Sequence, residues 1–407
     1  MRKTVLLVSC LFSSFLCKAQ DSTASTSKPQ EVATAAAPAQ EPENKGKFTF
    51  SGYIDSYYFG NFNRPKSRSN LGVAGNARAF DQRSGQFSLG LVQTKIGYST
   101  AKSDVVVDLT FGPNADLGQY GNLVGPLGRG SMALAIKQAY FNWKATDKLS
   151  LTVGQFGTHI GYEVIDAPVN YNYSLSNLFN NGPFYHIGAK ATYAFSDKAS
   201  LMVGLVNNVD NLNDNNRSKG FISQLFFSPV AGWNVYLNAI ASNEANLDSL
   251  NNKVTGAYAI FDLTTTYQIT EKFFLGLNAA VGSQKGDFQG YAPVKSGTSS
   301  WGGVALYTNY AVTGNFGLGA RYEYFDNKDG ARALRNSFGQ GTSVNSFTLT
   351  ANITAADGNL LIKPEFRVDS YAKPGSASAE DQQFEDKDGA FTKSSQSTLG
   401  LAFIYKF

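Results

Sequence analysis

The chain has 407 residues with 35 basic and 31 acidic side chains, two His and two Cys, and both cysteines, Cys10 and Cys17, fall within the first 19 residues. Past that segment there is no thiol, so neither disulfides nor thiolate metal sites support the fold. Without Arg2, Lys3 and Lys18 the balance is 32 basic against 31 acidic, a net charge of +1, which excludes nucleic-acid binding driven by bulk charge.

Residues 1–19 begin with Arg2 and Lys3, continue with the apolar run Val5 to Leu16 and end in Cys17-Lys18-Ala19. This reads as a signal peptide for secretion, with an apolar core too short to span a bilayer. Cys17 follows Leu16 rather than a small residue, which argues against lipid attachment there. Residues 20–45 are rich in Ala, Ser, Thr, Pro, Gln and Glu and lack aromatics. Such a segment cannot bury enough apolar surface to offset its ordering entropy, and it is expected to be a disordered periplasmic leader. No later stretch reaches about 18 consecutive apolar residues, so no transmembrane helix is expected.

From Gly46 the texture changes to alternating strands, and sixteen are expected: 46–60, 85–99, 104–112, 133–145, 148–158, 184–196, 199–210, 219–229, 232–243, 254–269, 272–284, 299–311, 314–326, 344–355, 359–371 and 395–407. Short links such as Thr146-Asp147, Thr270-Glu271 and Asp357-Gly358 alternate with long polar ones such as Asn61 to Ser84, His159 to Gly182 and Ala372 to Thr392. Segregation of short turns from long loops fits an antiparallel meander through a membrane, and an even strand count places both ends on the periplasmic side. The expected fold is therefore all-β, a transmembrane antiparallel up-and-down β-barrel of about 16 strands over residues 46–407. The 30 Phe, 21 Tyr and 40 Gly suit aromatic girdles and a curved sheet.

Charge parity assigns the two faces. In Leu360 to Asp369, the residues Ile362, Pro364, Phe366 and Val368 face one way and Lys363, Glu365, Arg367 and Asp369 the other. Four charges turned to lipid at the midplane would cost several kcal/mol, so the charged face must be the wet interior. The same parity makes Asp55, Gln93, Lys95, Asp108, Lys190, Asp262, Arg321 and Glu323 pore-lining candidates. It sends Phe50, Val105, Val107, Leu109, Leu201, Val203, Leu205, Phe273, Leu275, Leu277, Phe347 and Leu349 to lipid, while Phe226 and Phe274 fall at nominally inward positions. Paired structural struts between strands are an equally open reading for each charge. Pro364 has no N–H for the ladder, which predicts a bulge or local break. In the last strand, Leu399, Leu401, Phe403, Tyr405 and Phe407 share the outer face, and this strand is expected to close the barrel against Phe48 to Tyr58.

Gly154-Gln-Phe-Gly-Thr-His-Ile-Gly-Tyr-Glu-Val-Ile-Asp-Ala-Pro-Val-Asn-Tyr-Asn-Tyr-Ser174, with the preceding Lys137-Gln-Ala-Tyr-Phe-Asn-Trp143 and the aromatic terminus, resembles the OmpL-like β-barrel porin family common in Bacteroidetes. The resemblance covers Gly46 to Phe407. It implies an outer-membrane barrel acting as a porin, and it carries over no functional residues. This loop follows the fifth strand, the position from which a loop narrows the channel of general sixteen-stranded porins, so by analogy Tyr162, Glu163, Asp166, Tyr171 and Tyr173 are constriction candidates. Glu163 and Asp166 are expected either to oppose Lys190, Arg321 and Arg367 across the pore, producing a transverse field, or to belong to a loop packed against the wall as a plug.

Catalytic and metal chemistry is thin. Any Ser-His pair must use His159 or His186, and neither Ser174 nor Ser176 lies in a nucleophile-elbow pattern. His186, inside a strand, is expected to be a satisfied lumen group. Asp210 to Asn216 is dense in oxygen ligands but lacks the Gly and the twelfth-position Glu of a calcium loop, and reads as a solvated tip. The Gly-rich Leu127 to Gly130 lacks a P-loop ending. No cofactor or metal and no enzymatic activity are expected. The function expected is a passive porin for small hydrophilic solutes, with a plugged barrel serving as a structural, adhesion or receptor-like surface protein as the alternative. The partners that follow are outer-membrane lipid, barrel-assembly machinery and the solutes themselves. Oligomeric state is not encoded in the parity.

Overall fold

The computed structural model describes residues 46–118, 135–207, 209–214, 216–244, 256–285, 297–373 and 381–407. The signal peptide and leader expected over 1–45, and the Gly-rich Leu127 to Gly130, lie outside the described residues. The strands are β1 (Lys47–Asn61), β2 (Phe87–Ser99), β3 (Ser103–Phe111), β4 (Ile136–Lys144), β5 (Leu149–Gly157), β6 (Tyr185–Ser196), β7 (Ala199–Val206) and β8 (Gly220–Phe227). They continue as β9 (Trp233–Asn243), β10 (Ala257–Gln268), β11 (Phe273–Lys285), β12 (Thr298–Ala311), β13 (Phe316–Asp326), β14 (Ser343–Ala355), β15 (Leu360–Tyr371) and β16 (Ser395–Lys406). Each pairs antiparallel with its sequence neighbours in one closed barrel, and β1 completes the ring on β16 from Tyr53↔Lys406 to Asn61↔Thr398. Closure satisfies every wall strand on both sides, which a bilayer interior demands.

The alternation expected of the wall holds. Val105, Leu205, Phe347 and Leu349 are exposed on the outer surface, whereas Lys363, Glu365, Arg367 and Asp369 point inward and are buried. A belt of exposed large apolar side chains is stable in lipid and a liability in water.

Two irregularities re-aim inward groups. The β1–β2 register shifts between Ile54 and Ser56, so Gly90 and Leu91 together face Asp55, whose carboxylate accepts from the Leu91 N–H. Leu89 therefore points outward while Leu91 is buried inside. A second shift leaves Lys137 as the extra residue, with Asp108↔Gln138 followed by Leu109↔Ile136. At Pro364 the β14–β15 ladder is interrupted between Thr350↔Glu365 and Ile353↔Ile362 with the register kept, so the proline makes a local break and no bulge.

Connections alternate as expected. On one rim lie short turns such as 145–148 and 228–232; at the other rim the strand ends are joined in sequence by L1 (62–86), L2 (112–135), L3 (158–184), L4 (207–219), L5 (244–256), L6 (286–297), L7 (327–342) and L8 (372–394). L2 carries the short helix α1 (Pro113–Gly118) and L3 carries α2 (Asn177–Asn181). The core lies inside the barrel at the long-loop end, where Ile222, Ile240, Ile260, Trp301, Phe325 and Val344 pack against Ala77 of L1, Leu178 of L3, Leu334 of L7 and Phe384 of L8.

Candidate functional site: a loop folded across the barrel

L3 turns inward directly after β5. His159 Nε2 lies 3.0 Å from the Ala239 carbonyl on β9, and the Gly161 N–H donates to Asp262 Oδ1 on β10 at 3.2 Å. Gly161 sits at φ 93°, a conformation that favours glycine. Tyr162 stacks on Tyr307 of β12 with ring centroids 4.0 Å apart. Glu163 then forms a buried ion pair with Arg321 of β13 and accepts from the Ser176 N–H at 2.7 Å, closing L3 on itself.

The loop next crosses to the opposite side of the ring. Asp166 is held by Lys137 Nζ of β4 at 2.5 Å, by Gln93 Nε2 of β2 at 2.8 Å and by the Tyr53 hydroxyl of β1 at 3.4 Å. Returning, L3 offers its backbone to charged wall groups. Lys363 Nζ donates to the carbonyls of Ala167 and Asn170 at 2.9 and 2.5 Å. The Glu365 carboxylate accepts from the Tyr173 and Ser174 N–H groups at 2.6 and 3.0 Å. Arg321 and Arg367 donate to the carbonyls of Ser174 and Leu175, each at 2.7 Å. Glu323 accepts from the N–H groups of Asn177 and Leu178, each at 2.8 Å, and Ser176 Oγ caps α2 by accepting from Phe179 N at 3.0 Å. An irregular loop inside a barrel would otherwise strand its backbone polar groups, and the inward charges satisfy them one by one.

The sequence therefore places these charges on the right face, and their surroundings differ from the expectation. Asp55, Asp108, Asp262, Arg321, Glu323, Lys363, Glu365, Arg367 and Asp369 are at most 5 % exposed. Eight of them are bonded to L3 or L1, and Asp108 is satisfied within the wall by Gln93, Lys137 and Gln138. Only Lys95 and Lys190 among the eleven candidates are half-buried. Lys190 Nζ sits 4.3 Å over the Phe156 ring.

The transverse field expected between loop acids and wall cations is also replaced. Glu163 touches Arg321 instead of facing it across water, and Asp166 binds Lys137 and not Lys190, Arg321 or Arg367. Of the five loop candidates, Glu163 and Tyr173 are buried while Tyr162, Asp166 and Tyr171 keep partial exposure. The Tyr173 hydroxyl donates to Asp55 at 3.2 Å, and Tyr171 packs on the inward Phe274 with centroids 5.2 Å apart.

Two anchoring residues escape sequence parity. Lys137 shares the outward register of Phe141 and Trp143, and only its bulge turns Nζ onto Asp108 at 3.0 Å as well as onto Asp166. A lysine in a lipid-facing register was the available signal. Arg78, from L1, pairs with Asp81 at 2.5 Å and with Asp369 at 2.9 Å, and nothing in the loop's composition marks it.

His186 is fully buried and lies 3.1 Å from Thr158 Oγ1, so it ties the start of L3 to β6. Asp210 is not at a solvated tip. It is buried, and its Oδ1 accepts from the N–H groups of Phe184 and Tyr185 at 2.6 and 3.1 Å.

Residues 47–407 match the family described as "Putative beta-barrel porin-2, OmpL-like". Among solved structures the chain is similar to the outer-membrane-expressed OmpT of Vibrio cholerae, at 11 % identity and a TM-score of 0.53, covering 90 % of this chain and 99 % of that one. It is similar to the anion-selective porin of Comamonas acidovorans, at 9 % identity and a TM-score of 0.54, covering 89 % and 100 %. OprB of Pseudomonas putida gives 13 % identity and a TM-score of 0.53 over 90 % and 95 %. At these identities the likeness speaks to fold. No curated protein sequence matches.

Proposed function

Because the chain belongs to the OmpL-like β-barrel porin family of the bacterial outer membrane, we propose that small hydrophilic solutes diffuse through its lumen and that L3 sets the narrowest passage. The observation that carries this reading is the anchoring of one loop on opposite sides of the ring, at Arg321 of β13 and at Lys137 of β4. A bore that sixteen strands would leave wide is thereby reduced to the space L3 does not occupy. Lys95 and Lys190 act as pore-lining groups, eight of the nine buried candidates act as anchors for L3 and L1, and Asp108 holds Lys137, the lysine that grips Asp166 of L3. Transport is passive, with no catalytic role, and the barrel is inserted by the assembly machinery of the outer membrane.

The purified protein in a planar bilayer is expected to give discrete open steps, and removal of Gly161 to Ser174 is expected to raise their conductance. Unchanged steps in the deletion would sink the role of L3. The apolar packing of Leu178, Leu334 and Phe384 inside the barrel favours a second reading, a plugged barrel presenting its loops at the cell surface. A folded protein that never conducts would establish that alternative.

A further inference from the structure

The charges on the inner wall divide into two sets by what they touch. Every inward strand carboxylate is bound by protein. Asp104 is paired with Lys144 at 2.9 Å and Asp108 with Lys137 at 3.0 Å. Asp262 accepts from Asn238 at 2.7 Å and from Asn278 at 2.5 Å. Asp55 accepts from Leu91 N–H and the Tyr173 hydroxyl, and Glu323, Glu365 and Asp369 are sealed under L3 and L1. Buried arginines are likewise neutralised, Arg321 by Glu163 and Arg367 by Asp369.

Lys95 on β2 and Lys190 on β6 differ from all of these. Both point into the barrel and remain half-buried, and neither has an ion-pair partner among the described residues. For Lys95 the carboxylate across the strand pair is Asp108, already taken by Lys137, Gln93 and Gln138. For Lys190 the polar wall opposite is Thr152, and the contact made by its ammonium is the face of Phe156. Among the described acids of the wall strands and L3, Asp104, Asp166 and, at the end of β13, Asp326 keep partial exposure, and each is already paired with a lysine, Lys144, Lys137 and Lys328 respectively.

We infer that the lumen of this porin favours small anions, with Lys95 and Lys190 as the residues that determine the preference. A solute ion crossing the barrel meets carboxylates whose oxygens are already occupied and ammonium groups whose counter-charge must come from the water-filled space. At a few ångströms in water such an attraction is comparable with thermal energy, so each lysine is worth about a threefold bias. Chloride, and small carboxylates of similar charge, are the solute class that this arrangement accepts. The inference rests on the porin reading above.

The test is the reversal potential of the full-length protein in a planar bilayer under a potassium chloride gradient. The expected result is a chloride-selective sign, with permeability ratios falling by about threefold in Lys95→Gln and again in the double variant with Lys190→Gln. Lys148→Gln, in an exposed short turn, should leave the ratio unchanged. Folding of each variant is checked by heat-shifted migration, so a misfolded lysine variant is recognised as such. If one does not fold, the sign of the reversal potential measured on the unaltered protein still decides whether the lumen favours anions. A cation-selective or unselective channel overturns the inference and leaves the porin reading intact, whereas a folded barrel without any conductance overturns the porin reading itself.

Discussion

Arg321 shows how much a single wall residue carries. Its guanidinium is buried between Glu163 and the Ser174 carbonyl, with a further bond to Thr348 Oγ1 at 3.2 Å. Replacing one member of such a pair leaves an uncompensated charge in a low-dielectric interior, at a cost of roughly 3–5 kcal/mol, whereas removing both charges costs far less. Arg321→Met is therefore expected to lower stability strongly, and Glu163→Gln in the same chain to recover most of the loss. Denaturant midpoints of the two single variants and the double variant check this. Equal and additive losses would mean that Glu163 and Arg321 do not act as a pair.

At the scale of elements, closure and docking make separate demands. Gly52 exchanges backbone hydrogen bonds with Phe407 at 3.0 Å in each direction, and a Cβ at this position would collide with the Gln93 carbonyl and sit 2.8 Å from the Phe407 ring. Gly52→Val is expected to weaken the β1 seam and reduce the fraction of heat-resistant barrel, with little change in the conductance of molecules that do fold. Docking of L4 on the end of L3 depends instead on Asp210. Burial pushes its carboxyl up to about 7, above its value in an unfolded chain, so the folded loop binds a proton more tightly. The stabilisation is present at low pH and is lost as pH rises from about 4 to about 7. Exchange of the Phe184 and Tyr185 amides, corrected for intrinsic rate, should accelerate over that range and become flat in Asp210→Asn. Burial also raises Glu244, to about 6, so Glu244→Gln separates its share. The strands behind these contacts were legible because alternation of period two survives in every one of them, as in Lys363 to Asp369. The bulge at Lys137 and the destination of L3 were not, because a one-residue register shift leaves the alternation on either side intact and a loop's partners lie far away in sequence, as Glu163 and Arg321 do.

For the whole molecule the question is whether L3 is a fixed filter or a gate. Its segment from Glu163 to Leu178 is bonded to β1, β2, β4, β13, β14 and β15, with Asn172 Nδ2 reaching Thr350 Oγ1 at 2.7 Å as the β14 contact. Release would expose Lys363, Glu365, Arg367 and Glu323 without their backbone partners all at once, so partial opening gains nothing and costs several buried hydrogen bonds. Local opening of L3 should then be coupled to unfolding of the wall, in contrast to the exposed turn of L8 around Asp386 to Gly389. In hydrogen exchange, peptides spanning 163–178 are expected to be protected as strongly as those of β13 to β15 and far more strongly than peptides spanning 385–390. The corresponding electrical signature is long, steady open steps without closure at raised voltage. Rapid exchange of 163–178, as fast as that of the L8 turn, would make L3 a swinging gate and would move control of permeation from the fixed lysines of the wall to the movement of the loop.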